Sequence, residues 1–277
     1  AAAVANDVIE CSPITYIEKV VIDKSLTLQG TDEINCIIDG TGLGTGSGIV
    51  INNGITNVTI KYFTIKNHSG TAPNSYAGIY ALGGNNNLSV THCTLQDNVG
   101  GCGFYANGPV NGITLDDLEV FGHTNAFGAA RGIVIWNGFK QNISITNCHV
   151  YNNNCCGIEL QDGTASGIFI DNNNVHDNAD NGIGVIGFKA GSGTSNISNN
   201  TVANNGRFGI EIKNPNANGL TSGDGSVIIH DNTVSLTATV GMNIRDHAGI
   251  SVYRRAFESG NPSGYPNIPT GVVIQNN

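Results

Sequence analysis

Charge is scarce in this 277-residue chain: 12% of its residues are charged, and the 12 cations are outnumbered by 21 anions. The net charge of −9 excludes the basic surface that binding to a nucleic-acid backbone needs. No apolar run approaches the ~20 residues that span a bilayer, so no membrane span is expected. Apolar residues almost nowhere recur at helical spacing, which excludes helix bundles and α/β layers. The seven cysteines show no Cys-x-x-Cys spacing of a common zinc site. Cys11 and Cys36 are the one pair placed for a disulfide, with free thiols as the alternative.

Against these absences stands glycine, 38 residues of it, much of it in a recurring phrase of glycine, apolar, any residue, apolar. The phrase begins at Gly48, Gly78, Gly103, Gly132, Gly157, Gly182, Gly209 and Gly241. Self-similarity at a period of 20–50 residues marks a solenoid, in which each coil contacts only its neighbours. A second phrase follows in each coil, as in Val58-Thr59-Ile60 then Phe63-Thr64-Ile65, or Ile143-Ser144-Ile145 then Cys148-His149-Val150. Short alternating segments separated by Asn- and Gly-rich turns read as strands, three to a coil.

The expected fold is all-β, a right-handed single-stranded parallel β-helix of about nine to ten coils. One domain covers residues 1–277: opening coils over 1–47, regular coils over 48–245, then a long loop and a last coil over 246–277. The final coil ends uncovered, which implies further chain or self-association through the solenoid ends. Residues 213–225 and 246–270 are the two long loops.

Aligned second phrases place Phe63, Cys93, Leu118, Cys148, Asn173, Asn200 and Asn232 in one column. Cys93 and Cys148 then read as small buried hydrophobes, and the asparagines as an internal amide ladder. Asn-x-Ser/Thr sequons at Asn57, Asn67, Asn87, Asn142, Asn196 and Asn199 read first as turn chemistry, with glycosylation as the alternative.

Within the first phrase, residues alternate inward and outward. One outward column runs Val50, Tyr80, Tyr105, Val134, Glu159, Gly184, Glu211, Asn243, and the next runs Asn52, Leu82, Asn107, Trp136, Gln161, Ile186, Lys213, Arg245. Aromatics fill the N-terminal half, and Glu159, Gln161, Asp162, Glu211, Lys213, Asn243, Arg245 and His247 the C-terminal half. Such a face suits an extended polysaccharide: Tyr80, Tyr105 and Trp136 stack on sugar rings, and Gln161 and Asn243 bond hydroxyls. Glu159 and Glu211, two coils apart, also suit a carboxyl pair for hydrolysis.

From the coil phrases the chain resembles the pectate-lyase-like superfamily and the generic parallel β-helix repeat proteins. The resemblance implies an extracellular or cell-surface protein acting on an acidic polysaccharide, by preference a lyase. By that analogy Lys213 is the base, Arg245 the acid or carboxylate clamp, and Glu159, Asp162 and Glu211 hold Ca²⁺. The Asp-Pro-His-Asp signature of alginate epimerases and the Gly-His-Gly of polygalacturonases are absent. The alternative is a non-catalytic filament, sheath or appendage subunit assembling through its β-helix.

Overall fold

The structure, a computed structural model, describes residues 3–70, 76–126, 128–162, 164–186, 194–213, 226–236, 247–253 and 271–277. Every regular element among them is a strand, and every pairing between strands is parallel. Nine strands form one sheet: Val20–Ile22, Ile49–Ile51, Ala77–Ala81, Cys102–Asn107, Ile133–Trp136, Ile158–Gln161, Ile183–Ile186, Phe208–Lys213 and Ala248–Tyr253. The other two strands of each coil join a 17-stranded sheet, because Asn86–Gln96 and Val110–Phe121 run through a corner unbroken. A typical coil is Ile133–Trp136, Phe139–Thr146 and His149–Tyr151. This is the expected three-stranded β-solenoid, and no helix among the described residues is long and apolar enough to cross a membrane.

Stacking in register makes the inward residues into continuous apolar columns. Ile133, Ile158, Ile183, Ile210 and Ile250 lie in line, as do Ile135, Leu160, Val185, Ile212 and Val252. These residues belong to one contiguous hydrophobic cluster that runs through the coils. Burial of each such side chain contributes about 1.5–3 kcal/mol, which is how a chain so poor in charged residues holds together.

The phrase glycine is required by close approach rather than by left-handed backbone. A Cβ on Gly182 would sit 2.6 Å from the Asn205 amide nitrogen and 2.7 Å from the Gly209 carbonyl oxygen. What crowds it is the Asn205 amide and the backbone of the next coil. The expected column is observed: Asn173 donates to Asn200 Oδ1 at 2.9 Å, and Asn200 to Asn232 Oδ1 at 2.9 Å. Cys93 and Cys148 lie buried in its upper half.

A second internal ladder stands five residues further on and was not anticipated. It comprises His68, Asn98, His123, Asn153, Asn178 and Asn205, and each of the first five donates its backbone N–H to the side chain one coil on. The five-residue offset from the first column is constant, so the signal was present in the alignment.

Corners are made by asparagine and aspartate in the left-handed region. Asn57, Asn67, Asn87, Asn142 and Asn199 all have φ between 54° and 58°. Five of the six sequons are therefore corner residues, whose short amide tolerates this backbone. Cys11 and Cys36 are both free thiols, with Cys36 Sγ against the Ser12 carbonyl at 3.4 Å.

One expectation is overturned at the C-terminal end. The strand that stacks on Phe208–Lys213 is Ala248–Tyr253, with Glu211 beside Ser251 and Lys213 beside Tyr253. The eighth phrase is therefore Gly249-Ile250-Ser251-Val252, and not the similar run at Gly241. Residues 237–246, including Asn243 and Arg245, lie outside the described residues, as do 214–225 and 254–270 of the two long loops.

His123 offers a test of the second ladder. It is fully buried, its Nδ1 accepts from Asn98 N–H at 3.2 Å, and burial pulls its pKa down to about 4. A depressed histidine gives stability that is present above its unfolded value near 6.5 and lost as pH falls towards 4. The loss approaches the order of 3 kcal/mol at its limit. His123→Asn, which restores the residue type of the ladder, should flatten this dependence in urea unfolding at pH 7 and pH 4.5. Equal slopes for variant and parent would show that His123 is not the group responsible.

Candidate active site

The outer face of the nine-stranded sheet is unlike an ordinary solvated strand surface. Glu159 is 3% exposed, Glu211 1% and Lys213 8%. Buried charges require partners, and each carboxylate has them. Arg131, at the position just before a phrase glycine, donates its Nε to Glu159 Oε2 and an Nη to Gln161 Oε1 at 3.4 Å. Asn181, two coils on in the same column, donates to Glu211 Oε2 at 2.5 Å, and the Tyr253 hydroxyl donates to Glu211 Oε1.

Gly184 stands between the two glutamates in their own column. A Cβ there would lie 3.7 Å from Glu211 Oε2 and 3.8 Å from Glu159 Cγ. The two side chains therefore lean toward one another over a residue that has none. Asn181 Nδ2 lies 3.7 Å from the same point, and Asn181 Oδ1 is buried without a hydrogen-bond partner.

Burial dominates the proton affinities of this cluster. It pushes the Glu159 carboxyl above the usual range, opposed by Arg131 and reinforced by Asp180 and Glu211. Glu211 is likewise raised by burial, opposed by the Tyr253 hydroxyl, Arg207 and Lys213. Asp180 is raised by burial against the pull of Arg207 and Arg131. Three carboxyls held above their ordinary values thus stand beside the cations Arg131, Arg207 and Lys213.

The aromatic half divides. Tyr105 is buried, edge-on to Tyr80 with ring centroids 4.9 Å apart, in a small outer cluster with Ala77, Cys102 and Val134. Tyr80 and Trp136 are half-buried at its border. The Arg131 guanidinium lies 4.9 Å from the Trp136 ring, and the indole N–H donates to Asp162 at 2.9 Å.

The carboxylates expected to hold Ca²⁺ are not gathered. Asp162 is bound to Trp136, Glu159 to Arg131, and Glu211 to Asn181 and Tyr253. A cation needs several free oxygens converging on one point, so these residues do not fit the ion. His247 is half-buried, next to the strand Ala248–Tyr253. Sequence reasoning missed Arg131, Asp180, Asn181 and Tyr253 as site residues. Arg131 and Asn181 share the column before the phrase glycine with Ser47, Ala77, Cys102, Cys156 and Phe208, so the alignment held that signal.

The sequence model described as "right handed beta helix region" matches residues 26–191 and again 132–264. The chain belongs to the right-handed β-helix family. No curated protein matches this β-helix chain by sequence. Among solved structures it is similar to the A-module of a mannuronan C-5 epimerase of Azotobacter vinelandii, at 11% identity over 97% of this chain and 83% of that one, with a TM-score of 0.43. It is also similar to a pectin methylesterase of Yersinia enterocolitica, at 14% identity over 97% and 84% of the two chains, TM-score 0.43. A third similarity is to a periplasmic alginate epimerase, at 13% identity over 98% and 72%, TM-score 0.42.

Proposed function

We propose that this β-helix protein is an enzyme acting outside the cytoplasm on an acidic polysaccharide, with Glu159 and Glu211 as its acid–base pair. The observation that carries this reading is the pair of buried, outward carboxyls leaning over Gly184. The backbones of the pair, two coils apart, are separated by ~9.6 Å, and the side chains lean inward from there, towards the separations of roughly 5–9.5 Å at which the carboxyl pairs of glycosidases act. Lys213 and Arg207 supply positive charge for a uronate carboxylate, Trp136 and Tyr80 offer partly open ring faces, and Asn181 Oδ1 awaits a donor such as a sugar hydroxyl. A lyase is the second reading: Lys213, buried in the column next to Glu211, takes the base role there.

Incubation of the full chain with uronate polymers and neutral polymers tests the proposal. Hydrolysis yields new reducing ends alone, whereas a lyase also yields an unsaturated, ultraviolet-absorbing product. Absence of both from every uronate polymer would overturn the enzymatic reading and favour the non-catalytic one.

Gly184→Ala separates fold from function. Replacing a strand glycine stabilises by roughly 0.5–1 kcal/mol, and the added methyl makes only ordinary contacts here. The variant should melt slightly higher than the parent and cleave polymer more slowly, because its methyl stands between the two glutamates. Undiminished cleavage would show that substrate does not enter between the glutamates.

A further inference from the structure

We propose that Cys155, Cys156 and Asp180 form a binding site for a thiophilic divalent ion of the Zn²⁺ or Cd²⁺ type. The coil period creates this group. Cys155-Cys156 immediately precedes the phrase glycine Gly157, and Asp180-Asn181 occupies the same two positions one coil further on. The Asp180 backbone N–H donates to the Cys155 carbonyl at 3.0 Å, locking the two coils in this register.

The donor geometry suits a tetrahedral ion. Two metal–sulfur bonds of ~2.3 Å at a tetrahedral angle hold their sulfurs roughly 3.7 Å apart. The Cys155 and Cys156 sulfurs are 3.6 Å apart. A carboxylate oxygen of Asp180 and both sulfurs all lie within 4.8 Å of one another. Both thiols are buried, at 7% and 2% exposure, and Asp180 is half-buried. Buried thiolates paired with a carboxylate select a soft to borderline cation over Ca²⁺ or Mg²⁺, which take oxygen ligands alone.

Three protein donors leave one tetrahedral position for water or another ligand, the arrangement of open rather than closed zinc sites. Arg131 and Glu159 stand close enough to interact with this group electrostatically. The ion site rests on its own three donors, and it stands whether or not Glu159 and Glu211 catalyse anything.

The test is titration of the reduced full chain with Cd²⁺, in the presence of a non-chelating phosphine reductant. One ion per chain should bind, with a cadmium–thiolate charge-transfer band in the ultraviolet. Cys155→Ser and Cys156→Ser should each abolish the band, and Asp180→Asn should weaken binding by at least ~10-fold, the minimum cost of losing even an outer partner. Cys148→Ser, which removes a thiol buried inside the coil column, should change nothing. Should a cysteine variant fail to fold, X-ray absorption of the Zn²⁺-loaded parent decides the matter, with a first shell of two sulfurs and two lighter atoms expected. No stoichiometric binding by the reduced parent, or a shell without sulfur, would overturn the proposal.

Discussion

Glu159→Gln and Glu211→Gln should each cut polymer cleavage by roughly 10²–10⁴-fold, the usual contribution of general acid–base catalysis. Glu211→Gln should leave the coil stack as stable as the parent, and Glu159→Gln should leave it folded but less stable, because Arg131 loses its buried ion-pair partner. The amide preserves side-chain shape but can neither take nor deliver a proton over Gly184. Circular dichroism and melting temperature report the fold, and new chain ends report the chemistry. Wild-type rates in both variants would sink the assignment of the pair.

The pH dependence carries a matching signature. Glu211 is faced by Arg207, Lys213, the Tyr253 hydroxyl and Asp180, and burial wins over the first three to raise its carboxyl. A carboxyl raised in the folded protein binds its proton more tightly there than in the unfolded chain. Its contribution to stability is thus complete below the unfolded value near ~4.3 and is lost as pH rises through the raised one. Glu211→Gln should remove that part of the stability–pH curve and the corresponding limb of the pH–rate profile together.

Arg131→Met should destabilise the protein by about 3–5 kcal/mol, the cost of leaving a buried charge without its partner. The Arg131 and Glu159 side chains are 10% and 4% exposed, so water cannot replace either. Arg131 also donates to the Ala129 carbonyl at 2.9 Å and covers the Trp136 ring. The double variant Arg131→Met with Glu159→Gln should recover much of the loss, because no unpaired charge then remains. Denaturant unfolding of the four proteins in this cycle measures the coupling. Additive effects would mean that the pair is not mutually dependent.

Much of this molecule was legible from the sequence because a solenoid converts spacing into position. The phrase glycines, the inward isoleucines and the ladder of Asn173, Asn200 and Asn232 are all repeated, and a repeat shows which residues stack. Where repetition failed, so did the reading. Two similar phrases stand at Gly241 and Gly249, and local pattern alone does not choose between them. The pairing of Ile210 with Ile250 does.

The site was legible only as columns. Alignment placed Glu159, Gly184 and Glu211 in line, and Trp136 beside Gln161. It gave no burial, so outward charges read equally well as solvated side chains. Nor did it show that Arg131 reaches one coil forward to Glu159, or that Asn181 and Tyr253 hold Glu211 from either side. Those contacts depend on rotamers and on neighbouring coils, which no period records.

The sequence by itself determined the β-helix, its three strands per coil and the members of the outward columns as far as Glu211 and Lys213. These follow from apolar alternation and from glycine and asparagine at fixed intervals, which are local properties of the chain. Only the tertiary structure decided which outward residues are withdrawn from water and which of them meet. Burial and partnership are set by coils 25 or more residues apart, and they turn a row of ordinary carboxylates into a pair with raised proton affinity over an empty glycine.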